Sequence, residues 1–221
     1  MNSDRLKQIK LNLRDNALNK RKAGLDELAT VAPEIALPIL DELTQEQDFA
    51  LRRWGVMGLG NHVTDESFKM LREILHREQD HNVLAEAANS LFEFGDRAIA
   101  PLQELFVKSD HWLVRQTIIS ILVDSHQPDI LLEVVELALT DRDQTTKETG
   151  ILALSRLLNT SLKQKALEIF STLAKDEYWR TRWRTAIALT ASDDPKAIEL
   201  LAQLQQDDHY RVVAAALEQP R

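Results

Sequence analysis

A chain of 221 residues with 44% hydrophobic and 28% charged side chains can bury a substantial core, which excludes disorder as its main character. It has no cysteine, so disulfides, thiolate metal sites and cysteine nucleophiles are excluded and a reducing, cytoplasmic setting is expected; the apolar run of about 18 residues that a membrane helix needs is missing. The formal net charge of −8 argues against a general nucleic-acid binder, whose affinity rests on a clustered positive surface.

That charge is unevenly spread. Residues 1–25 contain seven Lys and Arg against two Asp, a net of +5, which leaves −13 for the remainder. The opening "MNSDRLKQIKLNLRDNALNK" has no apolar segment of leader-peptide length and reads as a basic cap helix over residues 1–14, with a first helical hairpin over 15–46. Whether this basic helix docks on the acidic body of a second copy is open at this level, as is the oligomeric state.

From Asp48 onward the chain repeats. "DFALRRWGVMGLG" from Asp48, "DHNVLAEAANSLFEFG" from Asp80, "DHWLVRQTIISIL" from Asp110, "DQTTKETGILALSRL" from Asp143, "EYWRTRWRTAIAL" from Glu177 and "DHYRVVAAAL" from Asp208 start 30 to 34 residues apart. Each opens on an acidic residue suited to cap a helix, because a carboxylate accepts hydrogen bonds from the free N–H groups of the first turn. A polar break and a second apolar-periodic segment follow, such as "AIAPLQELFVK" and "DILLEVVELAL". Pro38, Pro101, Pro128 and Pro195 fall near the entries of second helices, where a missing N–H costs little.

The fold expected is all-α: a right-handed α-solenoid of six to seven helical hairpins forming a single domain over 1–221, with five repeats of about 32 over 48–207 and a half-repeat over 208–221.

Few side chains suggest chemistry. "GVMGLG", Gly55–Gly60, follows no strand and has its glycines in the wrong order for a phosphate loop; its small residues suit close helix contact, with Gly60 as a cap. His81, His111 and His209 lie a period or more apart and are expected too far apart to share a metal ion. No nucleophile elbow and no distinct carboxylate pair is present, so no catalytic residue is assigned.

"DEYWRTRWRTAIAL", Asp176–Leu189, concentrates two tryptophans, a tyrosine and three arginines. On a helical wheel Trp179, Trp183, Ala186 and Ile187 form the inward stripe, Arg182 points toward neighbouring repeats, and Arg180 and Arg184 project clear of it. Trp54 and Trp183 share the sixth place after the acidic start of their units, as scaffold residues do. Trp112, Trp179 and Tyr210 share the second place, so they suit packing between repeats or an aromatic row, with Tyr178, Arg180, Arg184 and Arg211 beside it, that grips a planar ligand or a partner helix. The second helices offer Asp41, Glu42, Glu104, Glu133 and Glu136 as an acidic face for a partner with a basic surface.

The unit "FGDRAIAPLQELFVKSDHWLVRQTIISIL" resembles a HEAT repeat of the phycobilisome-lyase-like group, in which glycine-aspartate, alanine-proline and a leucine pair precede an aspartate and valine-arginine. The resemblance covers residues 15–218. It implies an interaction scaffold acting on phycobiliproteins or the phycobilisome, or else a bilin lyase or chromophore-detaching factor. A bilin would then be held only transiently, its propionates paired by Arg180 or Arg184 and its rings stacked on tryptophans. It also implies that Arg53, Arg115 and Arg182 are rungs of a ladder with the caps Asp48, Asp80, Asp110 and Asp208, broken at Ala85, Glu148 and Val213. A DNA glycosylase built on similar repeats is a third reading, disfavoured by the acidic balance; neither nucleic acid nor membrane is expected as a partner.

Overall fold

The computed structural model describes residues 3–218, and every regular element among them is helical. The chain divides into two compact units, with the boundary after Ile118. The first holds α1 (Ser3–Leu13), α2 (Leu18–Leu28), α3 (Pro33–Thr44), α4 (Phe49–Gly60), α5 (Asp65–Arg77), α6 (His81–Phe92) and α7 (Ile99–Lys108). The division falls inside α8 (Trp112–Val123). The second unit continues with α9 (Pro128–Leu139), α10 (Gln144–Leu154), α11 (Lys163–Leu173), α12 (Trp179–Leu189), α13 (Pro195–Leu204) and α14 (Tyr210–Leu217). Short 3-10 turns occupy Gly95–Ala98 and Ser155–Asn159.

Within each unit the helices pair as first and second members of hairpins. First helices pack on one another, α4 on α6 in one unit and α12 on α10 and α14 in the other. Their contact lines are built from small side chains. In α12 the buried positions are Thr181, Thr185, Ala186, Ala188 and Leu189. Trp179 and Trp183 are only half-buried, so the inward stripe read from the wheel is displaced. The reason is steric: helices that approach this closely accept Thr, Ala and Gly between them, and an indole is driven to the edge. Gly58 shows the same demand, since a Cβ there would stand 2.2 Å from Leu40 Cδ2 and 2.9 Å from Leu25 Cδ1. Second helices supply the larger core residues: Leu71, Leu102 and Phe106 in the first unit, Val135, Phe170 and Leu200 in the second.

Helix starts differ from the sequence expectation at several places. Asp48, Asp80 and Asp143 cap α4, α6 and α10 through side-chain acceptance of first-turn N–H groups. Asp110, Glu177 and Asp208, however, stand one residue too early. His111 Nδ1 accepts the Leu113 N–H, His209 Nδ1 accepts the Arg211 N–H, and Tyr178 starts α12 without a side-chain cap bond. An unprotonated imidazole nitrogen is an acceptor like a carboxylate, so an acidic residue followed by histidine is ambiguous by one position.

Pro128 and Pro195 open α9 and α13 as expected. Pro38 lies inside α3, whose entry is made by Pro33. Gly60 is the last residue of α4 and faces Ser90; the C-cap is Asn61. Gly95 takes φ +60° at the start of its 3-10 turn.

The basic first helix docks on its own chain. Arg5 pairs with Glu27 of α2, and Arg14 Nη2 lies 2.9 Å from Glu46 Oε1, with Lys10 3.6 Å from Glu42.

Candidate functional site

The first helices carry a recurring arginine at the fourth position after the N-cap. Arg21 Nε donates to the carbonyl of Asp15, Arg52 Nη1 to that of Glu46, Arg115 Nε to that of Ser109 and Arg182 Nη1 to that of Asp176. Each partner carbonyl lies six residues before its arginine, so the guanidinium closes the loop that enters its own helix. Arg52 and Arg182 also reach a carboxylate of the next repeat. Arg52 makes a two-point ion pair with Glu78 at 2.8 and 3.1 Å, and Arg182 does so with Asp207 at 2.6 and 2.9 Å. Fork-to-fork geometry of this kind fixes orientation as well as charge.

The ladder therefore exists in a register different from that expected. Its carboxylates include Glu78 and Asp207, two residues before the caps Asp80 and His209, in place of the caps Asp80 and Asp48. Asp208 meets Arg182 Nη2 at 2.7 Å with its side chain 89% exposed, as a minor addition. Arg115 and Arg182 are clamp residues. Arg53 is not: its Nε pairs with Glu86 of α6 at 2.8 Å, on the helix face, and the clamp beside it is Arg52. The one-residue slips at Asp110 and Glu177 hid this. In the corrected register Trp54 and Trp183 also occupy different places.

Burial pushes the Glu78 carboxyl up, and Arg52 together with the N–H groups of Asp80 and Gln79 more than offsets this, leaving it below the usual carboxylate range. The Arg182 guanidinium holds Asp207 low, helped by the His209 N–H against the cost of burial.

Arg180 and Arg184 do not project clear into solvent. Both reach α10, where the 7%-exposed side chain of Glu148 offers one oxygen to each Nε at 2.7 Å, and Gln144 Nε2 adds a bond at 3.1 Å. Burial raises the Glu148 carboxyl, and the two guanidinia and the Gln144 amide outweigh it, so it sits below its ordinary value. A ladder position marked as broken at Glu148 is thus the acceptor of a different arginine pair. The wheel missed this because it places a side chain relative to its own helix only.

The aromatic residues are joined to histidines. In the second unit Trp179 stacks on His209 at 3.9 Å between centroids with planes 3° apart, and Tyr210 continues the stack at 5.2 Å. Arg211 lies 5.5 Å over Trp179 and donates to the Tyr210 hydroxyl at 3.1 Å. Tyr178 is 6.3 Å from Trp179, and Arg184 stands 4.3 Å over Trp183. In the first unit His81 stacks on His111 at 3.8 Å, with Trp112 next at 5.8 Å. The wide histidine spacing expected is thus wrong for this pair: a period of sequence is one layer of the stack. Even so, no cluster of three His, Asp or Glu able to hold a metal occurs among the described residues. One face of the Trp179 indole is already covered by His209, which leaves less of it for a flat ligand than the sequence suggested.

The acidic face is partly neutralised in place. Glu42 takes Lys10, and Glu136 of α9 lies 3.6 Å from Lys165 of α11. Glu133 is exposed on the same helix, and Glu104 of α7 lines a narrow cleft with Arg72, His76 and Lys108. Asp41 accepts from Gln45. Sequence gave no sign of a groove of about 630 Å³ in the second unit, floored by Leu122, Leu131 and Leu157 with Arg156 and Asn159 on its rim and His126 at φ +56° beside it.

No helix among the described residues is long and apolar enough to cross a membrane. No curated protein matches the sequence. The fold is similar to that of Kap121p (15% identity, TM-score 0.55), covering 98% of this chain and 29% of that one. Likeness extends to the complex of CpcE and CpcF of phycocyanin lyase from Nostoc sp. PCC7120 (14% identity, TM-score 0.49, 95% of this chain and 91% of that). Human deoxyhypusine hydroxylase is also similar (14%, TM-score 0.40, 96% and 93%). A sequence profile described as HEAT repeats matches residues 35–123 and 131–219. With hairpins stacked through small-residue contacts and clamped by arginines, and with that profile covering most of its length, the chain belongs to the HEAT-repeat family.

Proposed function

We propose that this chain is a non-enzymatic protein-interaction scaffold. The observation that carries this is the use made of its charged and aromatic groups. The shielded carboxylates Glu78, Glu148 and Asp207 are held by arginines that tie one repeat to the next, while Tyr178, Tyr210 and Trp112 keep 43%, 71% and 43% of their surface exposed. Shielded charges are spent on cohesion, and groups suited to docking a partner are displayed.

The finer version, an accessory to phycobiliproteins, rests on the repeat's resemblance alone. Affinity capture from source-cell lysate, with mass spectrometry and an absorbance scan of the eluate, tests both levels. A colourless eluate with one stoichiometric protein supports the general scaffold, and phycobiliproteins in the eluate support the finer version. A change in the visible spectrum of phycocyanin on mixing would replace the scaffold reading with bilin attachment or removal.

A further inference from the structure

Glu148 holds two guanidinia while carrying one charge. Arg180 and Arg184 are four residues apart on α12, hence on one line of the helix, and both present Nε–H to it. The trio has a net charge of +1 within a chain of −8. Anchoring by Nε fixes each planar group; the outer nitrogens of Arg184 hydrogen-bond no other described residue, while the Arg180 guanidinium also meets the Tyr178 side chain. The Arg184 plane is further held over Trp183, and Arg211 adds a third guanidinium over Trp179, whose ring lies 6.2 Å from Trp183.

Two immobilised forks side by side match the two oxygens of a carboxylate, and their entropy has already been lost to Glu148. We propose that Arg180 and Arg184 form an oxyanion site that receives a side-chain carboxylate from an acidic segment of a partner protein, with Arg211 as a secondary contact. Charge complementarity selects this occupant over a nucleic acid. The adjoining loops carry the exposed Glu177 and Asp208, which repel a phosphate backbone running across them, whereas one or two acidic side chains can enter over α12 alone.

This inference rests on the protein-docking reading and is separable from it by experiment. The full chain and its R180K/R184K variant are titrated with a blocked Gly-Ser peptide carrying two glutamates, with inorganic phosphate and with a single-stranded oligonucleotide. Tryptophan fluorescence and the arginine Nε–Hε NMR signals are followed. Lysine keeps the charge and removes the fork, so the double variant is expected to bind the peptide about tenfold more weakly, with both Hε signals of the parent shifting on saturation. Circular dichroism establishes that the variant is folded; if it is not, the single R184K variant serves. Equal peptide affinity in parent and variant, no saturable binding, or tighter binding of phosphate or oligonucleotide than of peptide overturns the site. Loss of the site with a captured partner retained would leave the docking reading standing.

Discussion

Replacing Arg182 with alanine removes the most complete of the inter-repeat clamps. Its side chain is 14% exposed and its partner Asp207 only 6%, so the variant leaves a shielded carboxylate without its cation and the carbonyls of Asp176 and Glu177 without a donor. The contact to Asp208 is discounted because that side chain is 89% exposed and an ion pair in water is worth little. Stranding one partner of a charged hydrogen bond costs about 1–3 kcal/mol, and water reaches a loop edge more easily than a core, so we expect a loss of about 2 kcal/mol.

Urea unfolding followed by far-ultraviolet circular dichroism measures this, with K69A as the comparison. The side chains of Lys69 and its partner Glu73 are 79% and 62% exposed, and loss of Lys69 should cost less than about 1 kcal/mol. The acid arm gives a second readout. Because Arg182 holds the folded carboxyl of Asp207 below its unfolded value of about 3.9, the stabilisation is present above that pH and is lost as pH falls through the folded value. R182A should lose this part of the acid dependence, and a D207N cycle should show coupling. A cost below about 0.5 kcal/mol, or one equal to that of K69A, would refute the clamp.

Other perturbations follow the same logic. E148Q keeps the shape of Glu148 but removes the charge shared by Arg180 and Arg184; a loss of about 1–2 kcal/mol in urea unfolding is expected, shrinking as pH drops below the ordinary carboxylate range. Burial depresses the His62 imidazole, against a smaller opposing bond to the Leu28 backbone, so its contribution is constant above about pH 6.5 and stability declines below it as the unfolded state takes up the proton first; H62Q should flatten this decline in a pH series of urea midpoints. G58A should cost about 1–3 kcal/mol, because its Cβ meets Leu40 and Leu25, and the thermal unfolding midpoint reports it. G95A meets no atom within 4 Å, so its cost, about 1–2 kcal/mol, comes from the positive φ alone.

Periodicity made the architecture legible because every repeat must bury the same stripe against the next, and that demand recurs in the chain as Leu, Ala and Gly at fixed intervals. The second helices, the prolines at Pro128 and Pro195, and the caps at Asp48, Asp80 and Asp143 all followed from that pattern. Pairing between repeats did not. Sequence offers arginines and carboxylates in number, and whether Arg52 or Arg53 closes the loop, or whether Glu148 serves Arg180 and Arg184, depends on a rotation of about 100° per residue about a helix whose start is fixed by one hydrogen bond. At His111 and His209 that bond goes to an imidazole, one residue past the acid that marks the period. The repeat belongs to the sequence because burial is a property of each segment; the clamp, the ring stacks and the arginine pair belong to the tertiary structure because they are made across segments about 25 to 36 residues apart, where only packing brings donor to acceptor.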